Sequence, residues 1–145
     1  MANGIYLEAD ENNCLRPDEP ITQQDFLLLL DRVVWNGRYA ADLENLYRYL
    51  VRQQILMQEE ISPKSVVKRI DGISWLLSAL GYGEFVKIPG IFRCPFGDVA
   101  EQEQGVAAVA WGLKLVVGDG GGTFRPNMAL RRGDAMMIVH NYMEK

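Results

Sequence analysis

The sequence predicts an all-α fold, a helical bundle of tandem helix-loop-helix repeats, and three observations carry that prediction. The chain repeats itself, its apolar residues recur at helical spacing, and no stretch alternates strongly as a half-buried strand would. The repeat is found by sliding Cys14-Leu15-Arg16-Pro17 onto Thr123-Phe124-Arg125-Pro126, after which the two regions align without a gap. Asp10 then falls on Asp119, Arg16 on Arg125, Pro17 on Pro126, Asp25 on Asp134, and the apolar Leu28 and Leu30 on Met137 and Val139. Each copy reads as a polar or glycine-rich loop, an Arg-Pro step and a helix. A further stretch, opened by Ile61-Ser62-Pro63, lines up with Ile21-Thr22-Gln23 and with Leu130-Arg131-Arg132, which gives three helix starts of one kind. Residues 1–145 are thus expected to form one domain, with a partial repeat over about 3–36, a degenerate one over about 38–84 and the best-formed one over about 96–145.

Each helix follows from its own spacing. Phe26, Leu29, Leu30, Val33 and Val34 share one face, which predicts a helix over 22–35 with Thr22 as its N-cap. Leu43, Leu46, Tyr47, Leu50 and Val51 predict a second over 40–57. Val66, Ile70, Ile73, Leu77 and Leu80 predict a third over 62–80, capped by Ser62 with Pro63 at the first helical position and ended by Gly81-Tyr82-Gly83. Val106, Val109, Ala110 and Leu113 place a fourth over 101–114, and Ala135, Ile138, Val139 and Tyr142 a fifth over 130–143. Phe85 to Phe96, with Pro89, Gly90 and Pro95, reads as a long connection.

Bulk properties narrow the function. At 48% hydrophobic and 23% charged the chain can bury a core. A net charge of −4 and a pI near 5.0 argue against nucleic acid or an anionic lipid surface as partner. The longest apolar stretches fall far short of the roughly 20 residues that span a bilayer. The first residues lack a basic patch followed by an apolar run, so an export signal is expected only on a longer precursor. Cys14 and Cys94 stand apart, in no metal-binding or thiol-exchange pair, and read either as buried thiols or as one disulfide.

The last fifty residues have a recognisable order. Phe96-Gly97-Asp98-Val99 opens the copy, a helix ends near Trp111-Gly112-Leu113, a loop runs Val117-Gly118-Asp119-Gly120-Gly121-Gly122-Thr123-Phe124-Arg125-Pro126, and Leu130-Arg131-Arg132-Gly133-Asp134-Ala135 starts the next helix. This order resembles the S-layer homology repeat, in which a Phe-x-Asp-Val opening, a Gly-Asp-Gly-x-Phe-x-Pro loop and an Ile-Thr-Arg-Ala-Glu helix start recur. The first copy resembles only the loop and second helix. The middle copy lacks the Gly-Asp-Gly loop and the arginine.

The resemblance implies a three-repeat bundle at the bacterial cell surface, outside the cell. Its partner would be secondary cell-wall polysaccharide, often its pyruvylated sugar, bound in grooves between repeats. The family's arginine, commonly a ligand contact, corresponds to Arg132, and its acidic residue to Asp134; the other two matching positions hold Gln23 and Pro63. With Arg131, Trp111, and Asp119 and Gly120 of the loop, these make up the candidate ligand site.

Physical chemistry points to Arg132 independently. A helix N-terminus carries unpaired N–H groups and partial positive charge, so two successive arginines there call for an anion. A guanidinium can grip a carboxylate with two hydrogen bonds, as a lysine cannot. The competing reading pairs Asp134 with a neighbouring arginine or leaves both arginines solvated. Expected on the surface, Arg132 should be replaceable at a cost below about 1 kcal/mol of stability.

The glycines around Asp119 do not form a phosphate loop, since no Lys-Ser or Lys-Thr follows, and neither acidic loop has the spacing of a calcium site. Trp111 reads as core or as a platform for a sugar ring. His140 has no acid or nucleophile placed beside it for catalysis. The sequence therefore predicts a non-catalytic module needing no cofactor or metal, either a wall-polymer binder or an interaction module that has lost the polymer. The first copy lacks a partner helix, which predicts an apolar face to be covered by a neighbouring chain, through self-association, or by an upstream segment.

Overall fold

The computed structural model describes residues 16–39, 41–88, 93–116 and 122–144, and those residues fold without a strand. They form α1 (Gln23–Val34), α2 (Leu43–Arg52), α3 (Arg69–Ala79), α4 (Gln104–Gly112) and α5 (Arg132–Met143), joined in part by single 3₁₀ turns at Gln58–Glu60, Phe85–Lys87 and Glu101–Glu103. Thr22 caps α1 by accepting from the Asp25 N–H at 3.4 Å, and Asp42 caps α2 by accepting from Asn45 N–H at 3.2 Å. The helices α2 and α4 end alike. Gln54 and Lys114 take the left-handed conformation, both at φ 62°, so that Ile55 N–H reaches Leu50 O at 3.0 Å and Leu115 N–H reaches Ala110 O at 2.9 Å.

The third helix corrects the sequence reading. Ser62 and Pro63 do not start α3; they lie in a turn, and the helix begins at Arg69. The reason is tertiary. The carbonyls of Ser65 and Pro63 accept from the N–H groups of Gln23 and Gln24 at 2.8 and 3.0 Å, so this turn is committed to capping α1. Its apolar stripe shifts accordingly: Ile70, Ile73, Leu76 and Leu77 are buried, while Val66 is exposed.

The same arrangement occurs three times. Arg132 and Gly133 N–H donate to Glu19 O and Pro17 O at 2.8 and 2.9 Å, while Arg69 and Ile70 N–H donate to Met128 O and Pro126 O, both at 3.0 Å. Inside these contacts lies a closed ring of backbone bonds. Ile21 N–H donates to Leu130 O (2.9 Å), Leu130 N–H to Val67 O (2.8 Å) and Val67 N–H to Ile21 O (3.1 Å). All three side chains are buried at the centre. The arrangement is a pseudo-threefold in which Pro17, Pro63 and Pro126 correspond, as do Ile21, Val67 and Leu130. The middle copy is therefore in register at Val67-Lys68-Arg69, and not at Ile61-Ser62-Pro63.

Around this axis α1 packs on α3 and α5, with Phe26 against Trp75 at 6.2 Å between ring centroids. Helix α2 lies on α1 and α4 on α3. The first copy's helix is shielded by α2, and among the described residues α5 exposes Met137 and Met143. Cys94 is a free thiol whose Sγ lies 3.6 Å from Phe96 O; Cys14, the other half of the considered disulfide, lies outside the described residues.

Candidate functional site

The pseudo-threefold puts three slots side by side, each at the first turn of a central helix. The residue one past the N-cap is Gln23 in α1, Arg69 in α3 and Arg132 in α5, and two positions on stand Asp25, Asp71 and Asp134. Arg132 meets the acid of the next helix around the axis, Asp25.

In the slot between α5 and α1, Arg132 Nη1 lies 3.1 Å from Asp25 Oδ2. Arg132 is only 8% exposed, which overturns its expected surface position. The cause is the ring, which draws the start of α5 against the Pro17–Glu19 turn and presses the side chain onto α1. The anion that the paired arginines call for is here supplied by the chain itself. Arg131, at the N-cap, is exposed, and its backbone bridges to Pro20.

Between α3 and α5, Arg69 Nε donates to Phe124 O at 3.1 Å, with the guanidinium 5.3 Å from the centroid of that ring. Burial pulls the Arg69 pKa down, Asp134 opposes that shift, and Arg125 adds to it. Asp134 thus answers an arginine from another repeat. The turn carrying Phe124 is held by Asp98, whose carboxylate oxygens accept from Phe124 N–H at 2.8 Å and Arg125 N–H at 2.9 Å. Phe96 closes over it, with ring centroids 5.2 Å apart.

Between α1 and α3 the slot has no arginine. Gln23 Oε1 accepts from Tyr47 OH and from Ser62 N–H, each at 2.8 Å, and its Nε2 donates to Glu60 O at 3.0 Å. Burial pushes the Tyr47 hydroxyl pKa up to about 12, so it remains a donor. Asp71, the acid of this slot, has its pKa raised by burial and further by Glu60, against the pull of Lys68. A groove of about 480 Å³ opens alongside, between α2 and the segment from Gln58 to Pro63.

Of the residues that the sequence singled out, Arg132, Arg131 and Asp134 meet at the start of α5. Trp111 is 50% exposed at the end of α4, so the core reading fails for it. Asp119 and Gly120 lie outside the described residues. Sequence reasoning missed Arg69 and the roles of Asp25 and Asp98. The signal for Arg69 was present in Arg69-Ile70-Asp71, which repeats the spacing of Arg132-Gly133-Asp134.

The family profile described as S-layer homology domain matches residues 95–136. Over those residues the chain is similar to an S-layer homology domain. The match runs from the opening Phe96-Gly97-Asp98, through α4 and the Phe124 turn, into the first turn of α5. Asp98, Phe124 and Arg132 fall within the matched residues, and the helix starts at Gln23 and Arg69 make backbone contacts like those of Arg132 outside them. No curated protein matches the chain.

Proposed function

We propose that this module anchors a bacterial surface protein by binding secondary cell-wall polysaccharide, and that the polymer's acidic groups, of the pyruvylated-sugar kind, are read at the arginine slots. The observation that carries this reading is the pair of arginines, Arg69 and Arg132, at threefold-related helix starts. The Arg132 guanidinium already binds a carboxylate, so an acidic sugar meets a group of matching charge. Arg131 supplies an exposed cation beside them, with Asp134 in the same first turn of α5. Trp111 offers a half-exposed ring to a sugar face. The slot at Gln23 is neutral and contributes least.

A second reading, an interaction module without polymer binding, is favoured by one observation: the Arg132 guanidinium is engaged by Asp25. Pull-down on purified wall carrying its secondary polymer, against wall stripped of it, separates the two. Polymer-dependent retention that drops at least tenfold in Arg69→Ala and in Arg131→Ala supports anchoring. Retention equal on both walls removes it.

A further inference from the structure

We propose that a cleft between α3 and the start of α4 binds a small hydroxylated ammonium, of the kind presented by a sugar with a free amine. This site is separate from the arginine slots, and the inference does not rest on the polymer reading. The cleft has a volume of about 140 Å³. Its polar lining is Asp71, Ser74 and Ser78 from α3, with Gln102 and Glu103 from the turn that leads into α4. Among the described residues, none of these five side chains has a hydrogen-bond partner.

The pseudo-threefold shows why the cleft opens in the middle copy. The positions of Ser74 and Ser78 are held by Leu28 and Arg32 in α1 and by Met137 and Asn141 in α5. Two short side chains one turn apart therefore leave open a volume that longer ones take up in the counterparts. Gly83 keeps the far end tight, since a Cβ there would lie 3.1 Å from Ser78 Oγ. Asp71 differs from its counterparts too. Asp25 pairs with Arg132, and Asp134 acts electrostatically on Arg69, but the slot of Asp71 holds the neutral Gln23. Gln23 is committed to Tyr47, Ser62 and Glu60, so it leaves the Asp71 carboxylate unanswered.

Charge then selects the ligand. Asp71 and Glu103 are both partly buried carboxylates, while Lys87, the cation at the cleft, is paired with Glu84 at 3.4 Å. The cleft thus favours a cation. Burial raises the Asp71 pKa against the pull of Lys68, and a bound positive charge would favour the ionised form. Among the described residues no three His, Cys, Asp or Glu side chains come together to hold a metal ion, whereas an ammonium needs only acceptors such as carboxylates and hydroxyls. The serine hydroxyls and the Gln102 amide match hydroxyl groups on the ligand, and Ile70, Val86 and Val106 match its C–H face. A cavity of about 150 Å³ holds a single six-membered ring, so the ligand portion bound here is one ring.

The test is an NMR titration of the full chain with glucosamine, following backbone amide signals. Saturable shifts centred on Ser74, Ser78 and Val106 are expected. Binding should weaken at least tenfold for N-acetylglucosamine, which lacks the charge, for glucose, which lacks the amine, and for cyclohexylamine, which lacks the hydroxyls. Ser74→Leu, which puts the α1 residue into the cleft, should weaken glucosamine binding at least tenfold, and Glu103→Gln at least threefold. Should Ser74→Leu fail to fold, Glu103→Gln still decides, because that side chain supports no other described residue. A glucosamine trimer that binds as well identifies a residue within a polymer as the ligand, and one that is excluded identifies the free sugar; both uphold the site. The absence of saturable shifts, shifts spread over the acidic surface, equal affinity for N-acetylglucosamine, or affinity unchanged in Glu103→Gln would overturn it.

Discussion

At the scale of single residues, the slots make side chains structural that look dispensable in sequence. Arg132→Ala removes the partner of Asp25, whose carboxylate is partly open to water, so the cost is below that of a fully buried pair, at about 1–3 kcal/mol. Urea denaturation checks this; a loss under 0.5 kcal/mol, ordinary for the surface, would return Arg132 to the surface role. Gln23→Ala strands the Tyr47 hydroxyl, the Ser62 N–H and the Glu60 carbonyl, and should cost about 2–4 kcal/mol in the same assay. Asp71 acts in the opposite sense. Its folded pKa is raised above the ordinary 3.8, so its favourable contribution is complete below that value and is lost as pH climbs through the folded pKa. Asp71→Asn should match the wild type near pH 3 and exceed it in stability at pH 7. A variant that is relatively weaker at pH 7 than at pH 3 would contradict this.

At the scale of elements, the close approach of the central helices is set where a side chain has no room. A Cβ on Gly72 would sit 3.0 Å from Leu130 Cδ2, 3.2 Å from Val67 Cγ1 and 3.3 Å from Phe26 Cζ. Alanine favours the helix by about 1 kcal/mol over glycine, but overpacking costs about 1–3 kcal/mol, so Gly72→Ala should lower stability. Gly112 has no neighbour within 4 Å at that position. There the propensity gain stands alone, and Gly112→Ala should raise the melting temperature. Thermal melts of the two variants should move in opposite directions; parallel shifts would mean that packing at the ring does not decide the sign.

At the scale of the whole molecule, the ring ties the first repeat to the last, since Pro17 and Glu19 cap α5 while Val67 and Leu130 complete the contacts of Ile21. Such closure differs from an open array, in which each repeat touches only its sequence neighbours. Unfolding should be a single transition with calorimetric and van't Hoff enthalpies equal within error. Two resolved transitions, one surviving deletion of residues 93–145, would show that the repeats fold separately.

The sequence alone determined which segments become helices and that they recur, because a helix's apolar face is written in residues a few positions apart. It also located the Asp98, Phe124 and Arg132 signature, whose loop and helix start are local in the chain. Only the tertiary structure decided the register of the middle copy. Ser62-Pro63 has the composition of a helix start, yet its carbonyls are drawn to α1, a contact across some forty residues that no local pattern encodes. The same holds for the burial of Arg132, since its partner Asp25 lies 107 residues away in the chain. Trp111 was ambiguous for a related reason: α4 buries Val106, Ala107 and Ala110, while Trp111 at its last turn stays half exposed. Local spacing fixes which side of a helix is apolar, and only the arrangement of the other helices fixes which part of that side is covered.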